Sequence, residues 1–511
     1  MARRIAHPSI DDRKARGLEA RDKAALSGHG GWRPAADRPD PVAALKEQDA
    51  SREPDLVPVR HGRMMASPFT FYRGAAKIMA ADLRDTPVAG LEAQLCGDAH
   101  LSNFGLFASP ERLLMFDVND FDETLPGPFE YDVERMAASF TIADRNNGYS
   151  PAGTRAATLE SVRAYREAMA SFAQMGTMDI WYAHLDQAEL MAQMRAIAAG
   201  TAKQEKTAKR QEKADKQQKA PKKARKRAAK REKATEERER AEKRAQKRTQ
   251  KTGEKARNRD SLQALSKLCE VVDGQYRIVS QPPLIVPERD LAATFGLSPD
   301  QVMPAIHEQF RAYRATLQDD RRKLLERFQI VDMARKVVGV GSVGTRDYIV
   351  LLQGRDEHDP LFLQVKQATA SVLEANLRRS RYRQHGERVV QGQRMMQAAS
   401  DIYLGWTKGV GTDARRHFYW RQLRDMKGSV DVGALRPPGL VFYARTCGWT
   451  LARAHARSGD PVAIAEYLGD SDAFDTSITD FSERYADQNE RDYAEFVQAV
   501  RSGELEAVEG V

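Results

Sequence analysis

Apolar side chains change their spacing several times along this chain. Leu159, Val162, Tyr165, Met169 and Phe172 fall three and four apart, which predicts an amphipathic helix started by Ser150-Pro151. SPFTFYRGAAKIMAADL (67–83) has the aromatic-to-alanine texture of a packed helix, whereas LEAQLCGDAHLSNFGLF (91–107) and RLLMFDVNDF (112–121) are short strands with a loop between them. From 335 the period becomes two. RKVVGVGSVGTRDYIVLLQG and DPLFLQVKQA predict three consecutive antiparallel strands with glycine turns. A helical run (389–406), a further strand (416–426) and helices from Leu440 onward follow. SLQALSKLCEVV (261–272) carries an apolar face, and QPPLIVPERD (281–290) is extended and bounded by prolines.

Two segments lack any such period. Residues 1–55 are polar and rich in Pro, Gly, Arg and Asp, which predicts a poorly ordered arm wrapping the body. Residues 201–257 are Lys, Arg, Glu, Ala and Gln without the a and d hydrophobes of a coiled coil, which predicts a solvated helical insertion.

Charge sharpens that division. The 511 residues carry 81 Lys+Arg and 72 Asp+Glu, a net of +9. Residues 201–260 alone hold 25 basic and 10 acidic side chains, so the remainder is acidic, with a net of −6. Positive charge therefore belongs to one segment, and a basic surface over the whole molecule is excluded. Cys96, Cys269 and Cys447 are too few and too scattered for a disulfide framework or a cysteine zinc site, and fit a reducing compartment. No apolar run reaches the ~18 residues of a membrane span, and the first residues have no signal-peptide core. These features predict a cytoplasmic protein without a membrane partner.

Two constellations carry chemistry. The first is Gly97-Asp98-Ala99-His100-Leu101-Ser102-Asn103, followed by Phe116-Asp117-Val118-Asn119-Asp120-Phe121-Asp122. A carboxylate, an asparagine five residues on and a second carboxylate on the next strand suit a hard cation with oxygen ligands, such as Mg²⁺. The bland alternative is that these acids cap turns and pair with Arg73, Arg112 and Arg135. The second constellation is Gly339-Val340-Gly341-Ser342-Val343-Gly344 between two strands, a hairpin able to cover phosphates. No helix follows it directly, which argues against a dinucleotide fold. Lys366 then stands alone in an apolar strand, costly to bury without an anion. Glu374 or Glu387 is the expected partner.

CGDAHLSNFG, FDVNDFDE and PFEYDVERMAAS resemble the catalytic core of aminoglycoside phosphotransferases, choline kinases and other members of the protein-kinase-like superfamily. From about His61 onward, RMMASPFTFYRGAA, LCGDAHLSNFG, FDVNDFDETLPGP, FLQVKQA and LARAHARSGD also resemble a bacterial family, domain of unknown function 2252. The kinase-like resemblance implies ATP and Mg²⁺ as cofactors. It makes Asp98 the carboxylate that orients or deprotonates an acceptor hydroxyl, with His100 beside it. Asn103 and Asp117 are the implied metal ligands, and Asp132 the brace of the catalytic loop. Gly339, Gly341 and Gly344 cover the triphosphate, and Lys366, held by Glu374 or Glu387, contacts it. Cys96 stands where small-molecule kinases usually have His.

The motif order differs from that of an ordinary kinase, because the glycine loop and lysine follow Asp98 by more than two hundred residues. LARAHARSG (451–459), similar to the helix that leads into the catalytic loop, lies near the C-terminus. The implied fold is α+β, two-lobed and circularly permuted, since nearby termini make permutation sterically cheap. Its parts are an arm (1–56), the catalytic-loop and metal-site part of a helical lobe (57–200) and the basic insertion (201–260). A helical connector (261–330), a small sheet lobe (331–430) and C-terminal helices completing the helical lobe (431–511) follow. The expected activity is phosphoryl transfer to a hydroxyl acceptor, small molecule or protein. Nucleotidyl transfer and a nucleotide-binding pseudoenzyme use the same parts. A metal-dependent phosphoesterase leaves the glycine hairpin unexplained, and a nucleic-acid-associated scaffold rests on the basic segment alone.

Overall fold

The period-two segments build one antiparallel sheet of six strands. Its order is Gly405–Lys408, His417–Gln422, Pro360–Ala368, Asp347–Gln353, Gln329–Lys336 and Ile285–Pro287. The computed structural model describes residues 7–186, 188–190, 192, 261–272, 275–287, 290, 299–423 and 426–510. Alternation assigns the two faces of the sheet. Tyr348, Val350, Leu352, Leu363 and Val365 pack with Ile306, Phe310 and Tyr313 of the helix Pro299–Arg314. Ile349, Leu351 and Phe362 pack with Leu265 and Leu268 of the helix Ser261–Leu268. The sheet begins earlier than the spacing predicts: the connector contributes Ile285–Pro287, and Gln329–Lys336 starts before residue 335.

The helical body is built on the helices Phe129–Asn146, Pro151–Phe172, Pro437–Ala456 and Ala473–Arg501. Gly153 N donates to Ser150 Oγ, capping Pro151–Phe172 where its sequence signal lies. Gly448 lets Pro437–Ala456 approach that helix closely, since a Cβ there would stand 2.1 Å from the Ser161 carbonyl oxygen. Against this body lies a smaller antiparallel sheet that includes Phe104–Ala108 and Leu114–Val118, both fully buried. The mixed α+β class holds.

Three elements differ from expectation. Residues 67–83 form two helices, Pro68–Gly74 and Ala76–Leu83, joined at Ala75. The helical run after 385 ends at Met396, and Gly405–Lys408 is already a sheet edge. The N-terminal segment is ordered from residue 7, not an irregular arm: Ile10–Lys23 is a helix with a Ser9/Asp12 capping box. Its polarity serves internal pairing. Arg38 bridges Asp82 (2.7 Å) and Asp492 (2.6 Å), while buried His29 lies 3.2 Å from Glu134. The basic insertion 201–260 falls outside the described residues. Among the described residues no helix is long and apolar enough to cross a membrane.

Candidate functional site

Both constellations open onto one cleft of about 150 Å³. Asp98, His100, Asn103, Asp120, Asp122 and Glu123 line it from the body, and Gly339, Gly341, Ser342 and Thr345 line it from the sheet. Arg52 and Arg73 add a wall from the N-terminal helical layer.

The strand Glu92–Leu95 leads into Gly97, whose φ of +81° and 2.3 Å approach of a would-be Cβ to the Glu123 carbonyl admit only glycine. Asp132 holds this turn from its helix, accepting hydrogen bonds from Cys96 N (2.7 Å) and Gly97 N (3.0 Å). His455 Nε2 donates to the same carboxylate (3.2 Å), and His455 Nδ1 is hydrogen-bonded to Tyr165 Oη (2.9 Å). The loop is therefore fixed by a buried relay.

Asp98 accepts from Arg135 Nε at 2.5 Å and keeps its side chain 20% exposed to the cleft. The His100 ring is buried, with Nε2 3.7 Å from Asp98 and Nδ1 without a partner. Burial, then Arg73 and Arg135, push the imidazole well below its ordinary range, so it is neutral. Asn103 Nδ2 donates to the Asp98 carbonyl (2.6 Å).

Asp117 stands apart. It is 1% exposed and takes no part in the cleft wall, because Arg453 Nη2 and Ala398 N (2.9 Å) donate to its carboxylate. Asp120, two residues past the end of the strand Leu114–Val118, lines the cleft instead. Asp120 Oδ1 is buried without a hydrogen-bond partner, and burial together with Asp122 holds its carboxyl above the ordinary range.

Lys366 is paired, but with neither glutamate. Its Nζ donates to Asp122 Oδ2 (2.5 Å) and lies 3.7 Å from Asp120 Oδ1, while Tyr419 Oη donates to Asp122 Oδ1 (2.6 Å). Burial works against the ammonium, yet Asp120 and Asp122 outweigh it and raise Lys366 well above the ordinary lysine range. The same pairing, against burial, lowers Asp122. Lys366 thus sits behind the two aspartates that face the cleft. Glu374 follows in a short 3₁₀ turn, and Glu387 N donates to Gln384 at the start of the next helix.

The glycine loop spans the turn between Gln329–Lys336 and Asp347–Gln353. Gly339 and Gly344 have φ of +70° and +89°. The loop is pinned from the N-terminal layer: Arg63 Nη1 donates to Gly339 O (2.6 Å), Glu53 N to Gly344 O (2.8 Å) and Arg52 Nη1 to Val343 O. Gly341 lines the cleft, whereas Gly344 packs on the Arg52 side chain. Arg52, Arg73, Asp120 and Asp122 were not singled out as site residues by spacing. The acidic run 116–122 was the available signal for the last two.

Among the described residues no group of three His, Cys, Asp or Glu is placed to hold a metal ion by itself. No curated protein and no solved structure matches the chain. A family model matches residues 52–247 and 220–499, which include every cleft residue from Arg52 onward. The chain therefore belongs to the family described as "Uncharacterized protein conserved in bacteria (DUF2252)".

Proposed function

We propose that this protein is an ATP- and Mg²⁺-dependent, kinase-like phosphotransferase acting on a hydroxyl acceptor, with its parts in circularly permuted order. One observation carries the reading: Asp98, Asn103, Asp120 and the glycine loop line a single cleft although more than two hundred residues separate 98–122 from 339–345. The permuted order draws support from Pro437–Ala456. That helix sends Arg453 to Asp117 and His455 to Asp132, and Ser458 just past its end accepts from Gln94 N (2.9 Å). This helix thus ends beside the strand that leads into Asp98.

Asn103 and Asp120 suit Mg²⁺, which takes one or two carboxylates and completes its shell with phosphate and water oxygens. Asp120 Oδ1, which has no hydrogen-bond partner and only a 3.7 Å ion pair to Lys366, fits that need. Bound Mg-ATP supplies the transferable phosphoryl group with its charge neutralised. Asp98, tied to Arg135, orients the acceptor hydroxyl and receives its proton late, which suffices for a loose transition state. Lys366 and Tyr419 fix Asp122 and keep the acidic floor in place. The pinned glycine loop, which brings Gly339, Gly341 and Ser342 to the cleft wall, would hold the phosphates.

The test is label transfer from γ-labelled ATP to the small molecules and proteins of a bacterial extract. The wild type transfers label in the presence of Mg²⁺, and Asp98→Asn does not while still binding Mg-nucleotide. Equal transfer by the variant removes Asp98 from the chemistry. Binding without transfer by the wild type makes the protein a pseudoenzyme, and transfer of the nucleotidyl moiety reassigns the reaction.

A further inference from the structure

The helix Pro68–Gly74 belongs to the RMMASPFTFYRGAA segment and brings Arg73 to the cleft. Three of its last four residues have internal tasks. Phe71 packs on Phe496, with ring centroids 5.4 Å apart. Tyr72 Oη donates to the Arg135 carbonyl (2.8 Å), and the Arg135 guanidinium lies 4.4 Å over the Tyr72 ring. Gly74 admits Met64, whose Sδ would stand 2.6 Å from a Cβ there, and its carbonyl accepts from Arg60 Nη2 (2.9 Å).

Arg73 is different. It lines the cleft, its Nε is buried without a hydrogen-bond partner, and among the described residues its guanidinium makes no hydrogen bond or ion pair. It shares the cleft with Asp98, His100 and Asp120, and the charges of Asp98 and Asp120 favour its guanidinium against burial. Arg73 is half-buried, and a guanidinium whose Nε is buried without a partner loses part of the hydration it would have in water. Its planar fork matches a tetrahedral or planar oxyanion better than a lone ammonium does. The neighbouring Arg135 cannot serve, because Asp98 already occupies it.

We propose that Arg73 is the oxyanion-binding residue of the cleft and receives a phosphate group beside Asp98. Which phosphate this is rests on the phosphotransferase reading: the terminal phosphate of the nucleotide, or a phosphate carried by the acceptor next to its hydroxyl. Anion binding itself does not rest on it.

The experiment titrates the full-length protein with inorganic phosphate and tripolyphosphate by calorimetry, comparing wild type, Arg73→Gln and Arg73→Lys. The wild type binds, Arg73→Gln loses on the order of tenfold or more in affinity, and Arg73→Lys falls between them. Without ligand, Arg73→Gln unfolds at or above the wild-type temperature, because no internal partner is lost. A lowered unliganded midpoint makes Arg73 structural and overturns the proposal, as does phosphate binding that is absent or indifferent to Arg73. Two further arms separate the sources. Selective loss of Mg-ATP over Mg-ADP affinity in Arg73→Gln assigns the terminal phosphate. Phosphate binding to wild type saturated with Mg-ATP, lost in Arg73→Gln, assigns the acceptor. Phosphate binding through Arg73 in a protein that ignores nucleotides sustains this inference while ending the phosphotransferase reading.

Discussion

Replacing Asp117 by alanine separates a structural acid from a metal ligand. Asp117 and Arg453 are each 1% exposed, and Arg453 Nη2 donates to the carboxylate. Removing one member of a buried pair leaves an uncompensated charge, at a cost of about 3–5 kcal/mol. The Ala398 amide, 2.9 Å from the carboxylate, adds about 1 kcal/mol when left unsatisfied. Such a loss is a large share of the ~5–15 kcal/mol that stabilises a folded protein. Asp117→Ala is therefore expected to shift the urea midpoint strongly downward or to abolish soluble expression. Asp117→Ala with Arg453→Met removes both charges, and is expected to recover much of the loss. Asp120→Ala, by contrast, removes a side chain that is 38% exposed, and is expected to leave stability within about 1 kcal/mol. The measurement is equilibrium urea unfolding of the four proteins. An Asp117→Ala variant with the wild-type midpoint, or a double variant no better than the single, refutes the reasoning.

Other expectations follow from single sites. Asp144 is 0% exposed with neither carboxylate oxygen hydrogen-bonded, and burial pushes it up to about 8. Its folded value lies above the unfolded one, so stability is retained at low pH and falls between about pH 4 and 8, by up to about 1.4 kcal/mol per pH unit. Asp144→Asn removes that slope in urea midpoints taken across this range, and an unchanged slope contradicts the assignment. Gly97→Ala forces a Cβ to within 2.3 Å of the Glu123 carbonyl oxygen at φ +81°, and thermal unfolding should show a marked loss; a wild-type midpoint denies the constraint. Any binding to nucleic acid should reside in the 201–260 charge, weaken steeply with salt and vanish on its deletion. Salt-insensitive binding that survives deletion places it elsewhere.

The glycine turn and the strands Asp347–Gln353 and Pro360–Ala368 were legible because period two and the turn residues act locally, whereas the first strand, Gln329–Lys336, lies mostly before the expected start at 335. The segment from Gly97 to Asn103 was legible for the same reason. The choice among Asp117, Asp120 and Asp122 was not. Every residue of Leu114–Val118 is buried, so alternation gives no open face, and the cleft begins only beyond the strand end. The Lys366 partner was hidden by distance: a local search reaches Glu374, while Asp122 lies 244 residues away. Polarity misled in the first fifty residues, where Arg38 and His29 are consumed by buried acids that other parts of the chain supply. Arg73 was legible only as a pairing partner for the acids, because a lone arginine in an apolar segment carries no spacing that marks a binding role.

The proposed function requires that Asp120 and the glycine loop form one Mg-nucleotide site. Its most direct test is equilibrium binding of a fluorescent ATP analogue to the full-length protein, with and without Mg²⁺, for wild type and Asp120→Asn. Tight binding that requires Mg²⁺ in the wild type, and loses that requirement together with most of its affinity in Asp120→Asn, is the expected result. Absence of binding, or binding indifferent to both Mg²⁺ and Asp120, contradicts the account.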